Sequence, residues 1–419
     1  MRNFLAESKT HETTLAFWRR MCYSLQVDIE GENAMHLTEM LQTIEPQMAR
    51  RLFDKAKQYN NVIDLTLGDP DYPTPQNVKD AAIAAMLAGR TKYTANAGIL
   101  PLREAISRDV ERRLGVHYDP NTEIICTIGA MGALYLATVC TIGPEDEMIV
   151  LAPHWPNYNN MVKMCHGKPV HVSVYGKENL EHLAENLEKA ASPRTKALIL
   201  NTPCNPTGQM LEWEQLQVIV DFAKRHNITV FSDEVYHTIL FDGRKHRSII
   251  EIEGMKERTV LIESLSKRFS MTGWRVGFAC APASIIDYMV QLNEDVAACV
   301  PEFCQYGAIE ALENGDAAAK EMNEGFRDRC RFMSQKLNAI PGVRCEETAG
   351  TFYLFVDIRE LGMKSMDFCY KLLEDQQVAV VPGNAFHESG EGYIRIACTV
   401  DIPVLEAAAD RIRTFIEKL

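Results

Sequence analysis

Lys267 lies in Ser264-Leu265-Ser266-Lys267-Arg268-Phe269-Ser270-Met271-Thr272-Gly273-Trp274-Arg275-Val276-Gly277, directly after the short apolar run Val260-Leu261-Ile262. Hydroxyls stand one and three residues before it, and an arginine stands eight after. A lysine that works as an amine must be held in its neutral form. A phosphate close by accounts for both the hydroxyl and the guanidinium. The stretch therefore reads as a lysine at the carboxyl edge of a sheet that carries pyridoxal phosphate as a Schiff base. A solvated surface lysine is the bland alternative, and it leaves the neighbours unexplained.

Further candidates fall at the ends of other expected strands. Asp233 closes Thr229-Val230-Phe231-Ser232, where a buried carboxylate keeps a pyridine nitrogen protonated; a helix cap or turn residue is the alternative. Tyr236, three residues on, is placed to bond a phenolic oxygen, or simply to pack. The segment Asn201-Thr202-Pro203-Cys204-Asn205-Pro206-Thr207-Gly208 is rigid and turn-rich, and it fixes the amide of Asn205 between prolines. In Thr127-Ile128-Gly129-Ala130-Met131-Gly132 a strand turns through glycine into a helix start, which suits an anion or else only close packing. Trp155, in Ala152-Pro153-His154-Trp155-Pro156, offers an indole to a flat ring or to a core. Arg395 lies inside the apolar strand Tyr393-Ile394-Arg395-Ile396-Ala397, so its charge is either paired internally or left open for a carboxylate.

The elements that must position these residues alternate. Strands are expected at Glu123–Thr127, Met148–Leu151, Lys196–Asn201, Ile228–Ser232, Val260–Ile262 and Gly277–Ala281, with helices such as Gly132–Cys140 and Trp213–Arg225 between them. That rhythm predicts an α/β domain with a mainly parallel sheet covered on both faces, ligands gathering at the carboxyl ends of its strands. After about residue 305 a long helix over Ile309–Leu337 leads to strands at Gly350–Asp357, Val378–Val381 and Tyr393–Ala397, a second, smaller α+β domain. Before the alternation come a helix over Pro46–Tyr59 and a strand over Val62–Leu67 that breaks at Gly68-Asp69-Pro70. Residues 1–36 read as an N-terminal extension, partly helical around Leu15–Leu25. The expected division is 1–36 extension, 37–75 N-terminal part of the small domain, 76–308 large domain and 309–419 small domain.

Composition narrows the class. With 419 residues, 46% hydrophobic and 24% charged, the chain is of ordinary globular type. A net charge of −13 argues against nucleic acid as a partner. The twelve cysteines are scattered without C-x-x-C pairs or zinc spacing, so neither a metal site nor a disulfide framework is expected. No apolar run approaches the length of a membrane span, and a cytoplasmic location is the expectation.

The motifs, in this order, resemble those of the class I/II aminotransferases, pyridoxal-phosphate enzymes of fold type I related to aspartate, aromatic and alanine aminotransferases. The resemblance runs from about His36 to the C-terminus. It implies the family fold, a large domain with a mostly parallel seven-stranded sheet between helices plus the smaller domain. It implies that Lys267 is the Schiff-base lysine and general base, and that Ser264, Arg275 and the backbone of Ala130 and Met131 hold the phosphate. Asp233 would pair with the pyridine nitrogen, Asn205 and Tyr236 with the phenolic oxygen, and Trp155 would stack on the ring. Arg395, with Asn205 and the Gly68 backbone, would bind the substrate carboxylate. Tyr93 resembles the tyrosine that reaches the phosphate of a neighbouring subunit, which implies a homodimer with shared active sites.

The implied reaction moves an amino group from an L-amino acid to a 2-oxo acid such as 2-oxoglutarate by a ping-pong route. Some dicarboxylate-specific relatives carry a lysine where this chain has Met131, and others borrow an arginine from the partner. The stretch Asp295–Glu302 contains no arginine. Neutral or aromatic substrates are therefore expected over aspartate. The alternatives are a C–S β-lyase or another lyase or synthase on the same scaffold, and a non-catalytic sensor domain of a regulator, for which residues 1–36 are too short to hold a DNA-binding domain.

Overall fold

Apolar residues follow one another without polar interruption in the central strands, which marks them for burial on both faces. A computed structural model describes residues 37–419; the expected helix around Leu15–Leu25 lies outside the described residues. A short 3-10 turn, Glu39–Thr43, belongs to a unit ending at Thr43, and Ile44–Leu419 forms a second unit.

The large sheet of that second unit has seven strands, in the spatial order Ile124–Ile128, Val276–Cys280, Thr259–Ser264, Thr229–Asp233, Thr195–Asn201, Glu147–Ala152 and Lys168–Ser173. Alternate side chains point to opposite faces. Ile149, Leu198, Leu200 and Val230 enter one core, with Val78, Leu102 and Phe222 from covering helices. Met148, Val150, Ile199 and Phe231 enter the other, with Leu134, Met161 and Met289. All pairings in this sheet are parallel except those of Val276–Cys280, which runs antiparallel to both neighbours.

A further core gathers Leu52 and Leu65 with Phe326, Phe352, Phe368, Ile396 and Phe415. It lies against a four-stranded sheet ordered Val381–Pro382, Tyr393–Ala397, Tyr353–Asp357 and Arg344–Cys345. Helix Met48–Ala56 falls inside the expected 46–59 segment and buries Leu52 and Ala56.

Several expectations need correction. The single helix over 309–337 is two, Glu302–Asn314 and Asp316–Asn338, because Asn314-Gly315-Asp316 is a poor helical run. The strand expected from Gly350 begins at Tyr353: Thr351 adopts φ 64°, and Gly350 makes only an isolated bridge to Leu240. The run Val378–Val381 divides, Val378–Ala379 pairing with Ile63–Asp64 and Val381–Pro382 with Tyr393–Ala397. Of the strand expected over 62–67 only Ile63–Asp64 is paired. Lys168–Ser173, at the sheet edge, was not among the named strands; only Val172 of it is fully buried, so its apolar signal is weak.

Candidate active site

Five parallel strands end on one edge of the large sheet, at Ile128, Ala152, Asn201, Asp233 and Ser264. The antiparallel strand begins on that same edge, so Arg275, just before Val276, arrives beside them. Register fixes neighbours: Asn201 pairs with Asp233 and Ser264 with Gly277. At this edge lies a cavity of about 560 Å³. Its lining includes every residue singled out from the sequence except Tyr93: Gly68, Ala130, Met131, Trp155, Asn205, Asp233, Tyr236, Ser264, Lys267, Arg275 and Arg395. Tyr93 is 88% exposed and does not line this cavity.

Lys267 projects from a short helical turn, Leu265–Arg268, that follows strand Thr259–Ser264. Its Nζ donates to the Gly68 carbonyl. Burial pushes its pKa down to about 8; Asp69 opposes that shift, and Arg275 and Arg395 reinforce it. Gly68 also lets the Tyr353 hydroxyl pack against the backbone here, since a Cβ on it would lie 1.6 Å from that oxygen. The next residue, Arg268, is tied bidentately to Asp109 at 2.8 and 3.1 Å, which anchors the turn.

Asp233 is fully enclosed. The Tyr158 hydroxyl donates to its Oδ2 at 2.6 Å and the Val235 N–H to its Oδ1 at 3.3 Å. Burial pushes its pKa up to about 6, more than these two donors offset. Among the described residues no cation pairs with it. Asn201 stitches the neighbouring loops, accepting from the Asn205 N–H and donating to the Asp233 carbonyl, both at 2.8 Å.

Arg395 is buried. Its Nη1 donates to Asn205 Oδ1 at 2.9 Å and its Nη2 to the Thr66 carbonyl, while Nε is buried with no hydrogen-bond partner among the described residues. Its guanidinium lies 4.4 Å from the Tyr353 ring centre and 4.8 Å from that of Phe386. The Tyr353 and Tyr236 hydroxyls are 3.1 Å apart. Burial holds both tyrosines in the protonated form.

Helix Gly129–Thr141 begins earlier than expected, which puts Ala130 and Met131 in its first turn, where backbone N–H groups lack helical partners. Gly129 has φ +64°, and a Cβ on it would lie 2.5 Å from Arg275 Nη2. The guanidinium thus rests against the helix start. Ser264 Oγ, nearby on the same edge, accepts from the Ser266 N–H at 3.1 Å.

A buried amine near its titration point, an enclosed carboxylate without a cation, an indole, and a helix start with a guanidinium and a hydroxyl are the donor set that pyridoxal phosphate requires. The residues fit the group. Sequence reading missed Tyr158, Asn201, Tyr353, Gln47 and Arg50 as lining residues. Tyr158 had a signal, three residues after Trp155. Tyr353 had another, since a tyrosine in an apolar strand needs a partner for its hydroxyl.

Comparison with known proteins gives a consistent result. The model of the family "Aminotransferase class I and II" matches residues 60–412. "Putative aminotransferase YugH" of Bacillus subtilis is 39% identical, covering 91% of this chain and 99% of its own length. An aspartate aminotransferase of Pyrococcus abyssi is 38% identical, covering 90% and 97%. The crystal structure of an aromatic aminotransferase from Pyrococcus horikoshii superposes with a TM-score of 0.83 at 38% identity, covering 88% of this chain and 99% of that one.

Proposed function

This chain belongs to the class I and II aminotransferases and is a pyridoxal-phosphate-dependent aminotransferase, and from that premise we propose its donors and the roles of its residues. The donors are neutral or aromatic L-amino acids in preference to aspartate, and the acceptor is a 2-oxo acid. The relatives' names do not choose between substrates, since one named for aspartate and one named for aromatic substrates are both 38% identical. The lining supports the choice: Met131 brings an adaptable apolar surface with no charge where a dicarboxylate reader would need a cation.

The observation that carries the residue roles is Lys267, buried with its pKa near 8 in one cavity with Asp233, Arg275 and Arg395. Pyridoxal phosphate, when bound, supplies an electron sink for the substrate α-carbon. Lys267 would hold its aldehyde carbon, and as a free amine would take the substrate α-proton and return it on the cofactor side. With a pKa of about 8 roughly a tenth of the amine is neutral at pH 7, against less than about a thousandth at the ordinary lysine value. Asp233 would face the pyridine nitrogen and keep it protonated. Asn205 and Tyr236 would bond the phenolic oxygen, Trp155 would stack on the ring, and Ser264, Arg275, Ala130 and Met131 would hold the phosphate. Arg395 takes the α-carboxylate bidentately, assisted by Asn205 and the Gly68 backbone.

The working form is a homodimer in which Tyr93 reaches the partner's phosphate. Support comes from apolar side chains left in the open: Leu87 and Tyr93 are 85% and 88% exposed, with Ile83, Met86 and Tyr288 also exposed. The large domain spans 76–308, with 37–75 and 309–419 making the small one. A cytoplasmic location agrees with the unpaired thiols of the described cysteines.

The test is Lys267→Ala in the purified enzyme. Transamination and borohydride-trapped cofactor should both disappear; full retention of either refutes the role of Lys267. Ammonia and pyruvate released from cysteine-type substrates without a 2-oxo acid would select β-lyase chemistry instead.

A further inference from the structure

A ping-pong aminotransferase must admit two different substrates to one pocket, and an apolar wall explains only the first. Among the described residues four cations line the cavity: Arg50, Lys267, Arg275 and Arg395. The amine, the phosphate and the α-carboxylate occupy the last three. We propose that Arg50 reads the distal carboxylate of a dicarboxylic 2-oxo acid, 2-oxoglutarate in chemical class, as the specificity-determining residue of the acceptor half-reaction. This rests on the aminotransferase roles assigned above.

Arg50 belongs to helix Met48–Ala56, one turn after Gln47, and residues three apart share a helix face. Gln47 also lines the cavity and donates to Asn157, which in turn donates from Nδ2 to Met131 Sδ at 3.1 Å. Next to it, the Glu45 N–H donates to Asn160 Oδ1 at 2.9 Å, and Asn160 Nδ2 donates back to the Glu45 carbonyl at 2.8 Å. The helix start is thereby pinned to helix Asn157–Met164, on the Met131 side of the cavity. Arg50 and Arg395 thus line one cavity, from which a dicarboxylate can address both guanidinium groups.

The guanidinium is not committed where it rests. It pairs with Asp54 at 3.4 Å, with side chains 63% and 54% exposed. Ion pairs of that kind are weak and screened. A substrate carboxylate is a better partner, because it can take a bidentate, charge-assisted pair of bonds where Asp54 makes one contact at 3.4 Å. The same group also suits an aromatic substrate, since a guanidinium stacks on flat rings and Arg50 already lies 5.0 Å from the Phe53 ring centre. One side chain therefore serves a ring in the first half-reaction and a carboxylate in the second, with no lysine at the Met131 position.

The holoenzyme and its Arg50→Met and Arg50→Lys variants test this by cofactor absorbance in separate half-reactions. The pyridoxal form is mixed with phenylalanine, and the pyridoxamine form with 2-oxoglutarate or pyruvate. In Arg50→Met, kcat/KM for 2-oxoglutarate should fall by about tenfold or more relative to pyruvate, the range of a lost charge-assisted bond, with Arg50→Lys in between. Glutarate, an unreactive dicarboxylate, should lose affinity for the pyridoxal form in the same proportion, a readout independent of turnover. A change in the 2-oxoglutarate to pyruvate ratio below about threefold in Arg50→Met overturns the proposal while leaving the aminotransferase roles intact. Failure of the wild-type pyridoxal form to react with any amino acid overturns both.

Discussion

Remove the cofactor and the folded protein has to enclose Lys267 with the Gly68 carbonyl accepting from its amine and no cofactor to neutralise it. In the unfolded chain that amine titrates near 10.5; in the fold it titrates near 8 because burial penalises the charged form. Between these values the unfolded state binds more protons, so stability rises with pH across the window. The penalty is full below pH 8, fades from 8 to 10.5 and is absent above. A gap of about 2.5 pKa units at about 1.36 kcal/mol each corresponds to about 3 kcal/mol. Lys267→Met keeps a flexible chain of similar length and removes the charge. The cofactor-free variant should exceed the wild type in stability by about 3 kcal/mol at pH 7, beyond any constant packing difference, and that excess should vanish by pH 11. Urea unfolding of both cofactor-free proteins at several pH values measures the difference directly, and other titrating groups cancel in it. A difference that stays flat from pH 7 to 11 would refute the claim that the amine is held towards neutrality by its burial.

Asp233 obeys the opposite arithmetic. Its pKa is raised from 3.8 to about 6, so the ionised carboxylate weighs against the cofactor-free fold fully above pH 6 and not at all below 3.8. Asp233→Asn should raise cofactor-free stability by about 3 kcal/mol at pH 7 and cut kcat of the loaded enzyme about 100-fold or more through loss of the pyridinium partner; kcat within threefold of wild type would contradict its role. Arg395→Lys should raise KM for all donors and acceptors together, by about 10- to 100-fold, because an ammonium cannot replace the planar fork. An effect confined to one substrate would show that Arg395 reads side chains instead of the shared carboxylate.

The strand ends were legible because chemistry-bearing residues stand directly after apolar runs: Asp233 after Thr229–Ser232, Asn205 inside a proline-braced turn, Lys267 just beyond Val260–Ile262. The sheet interior was legible because both of its faces are apolar. What escaped depends on distant pairing. Lys168–Ser173 alternates weakly, since an edge strand buries little. Val378–Val381 looks continuous, yet it changes partner in the middle, and no local pattern reports that. Tyr158 and Tyr353 reach the cavity through contacts 75 and 117 residues away in sequence, to Asp233 and Tyr236. Arg50 lay in a helix whose place over the cavity is set by bonds to helix Asn157–Met164, invisible in the helical period itself.

In the seven-stranded sheet, the strand that runs against its neighbours has a consequence for assembly. Because Val276–Cys280 folds straight back on Thr259–Ser264, the amine and the phosphate-side guanidinium belong to a single hairpin. Their spacing is set by a closure of few residues, which a nascent chain makes quickly. The carboxylate and amide opposite wait for long crossovers. A chain recut elsewhere but intact from 259 to 280 should therefore keep its grip on both ends of the coenzyme, whereas an insertion between Phe269 and Gly273 should uncouple them.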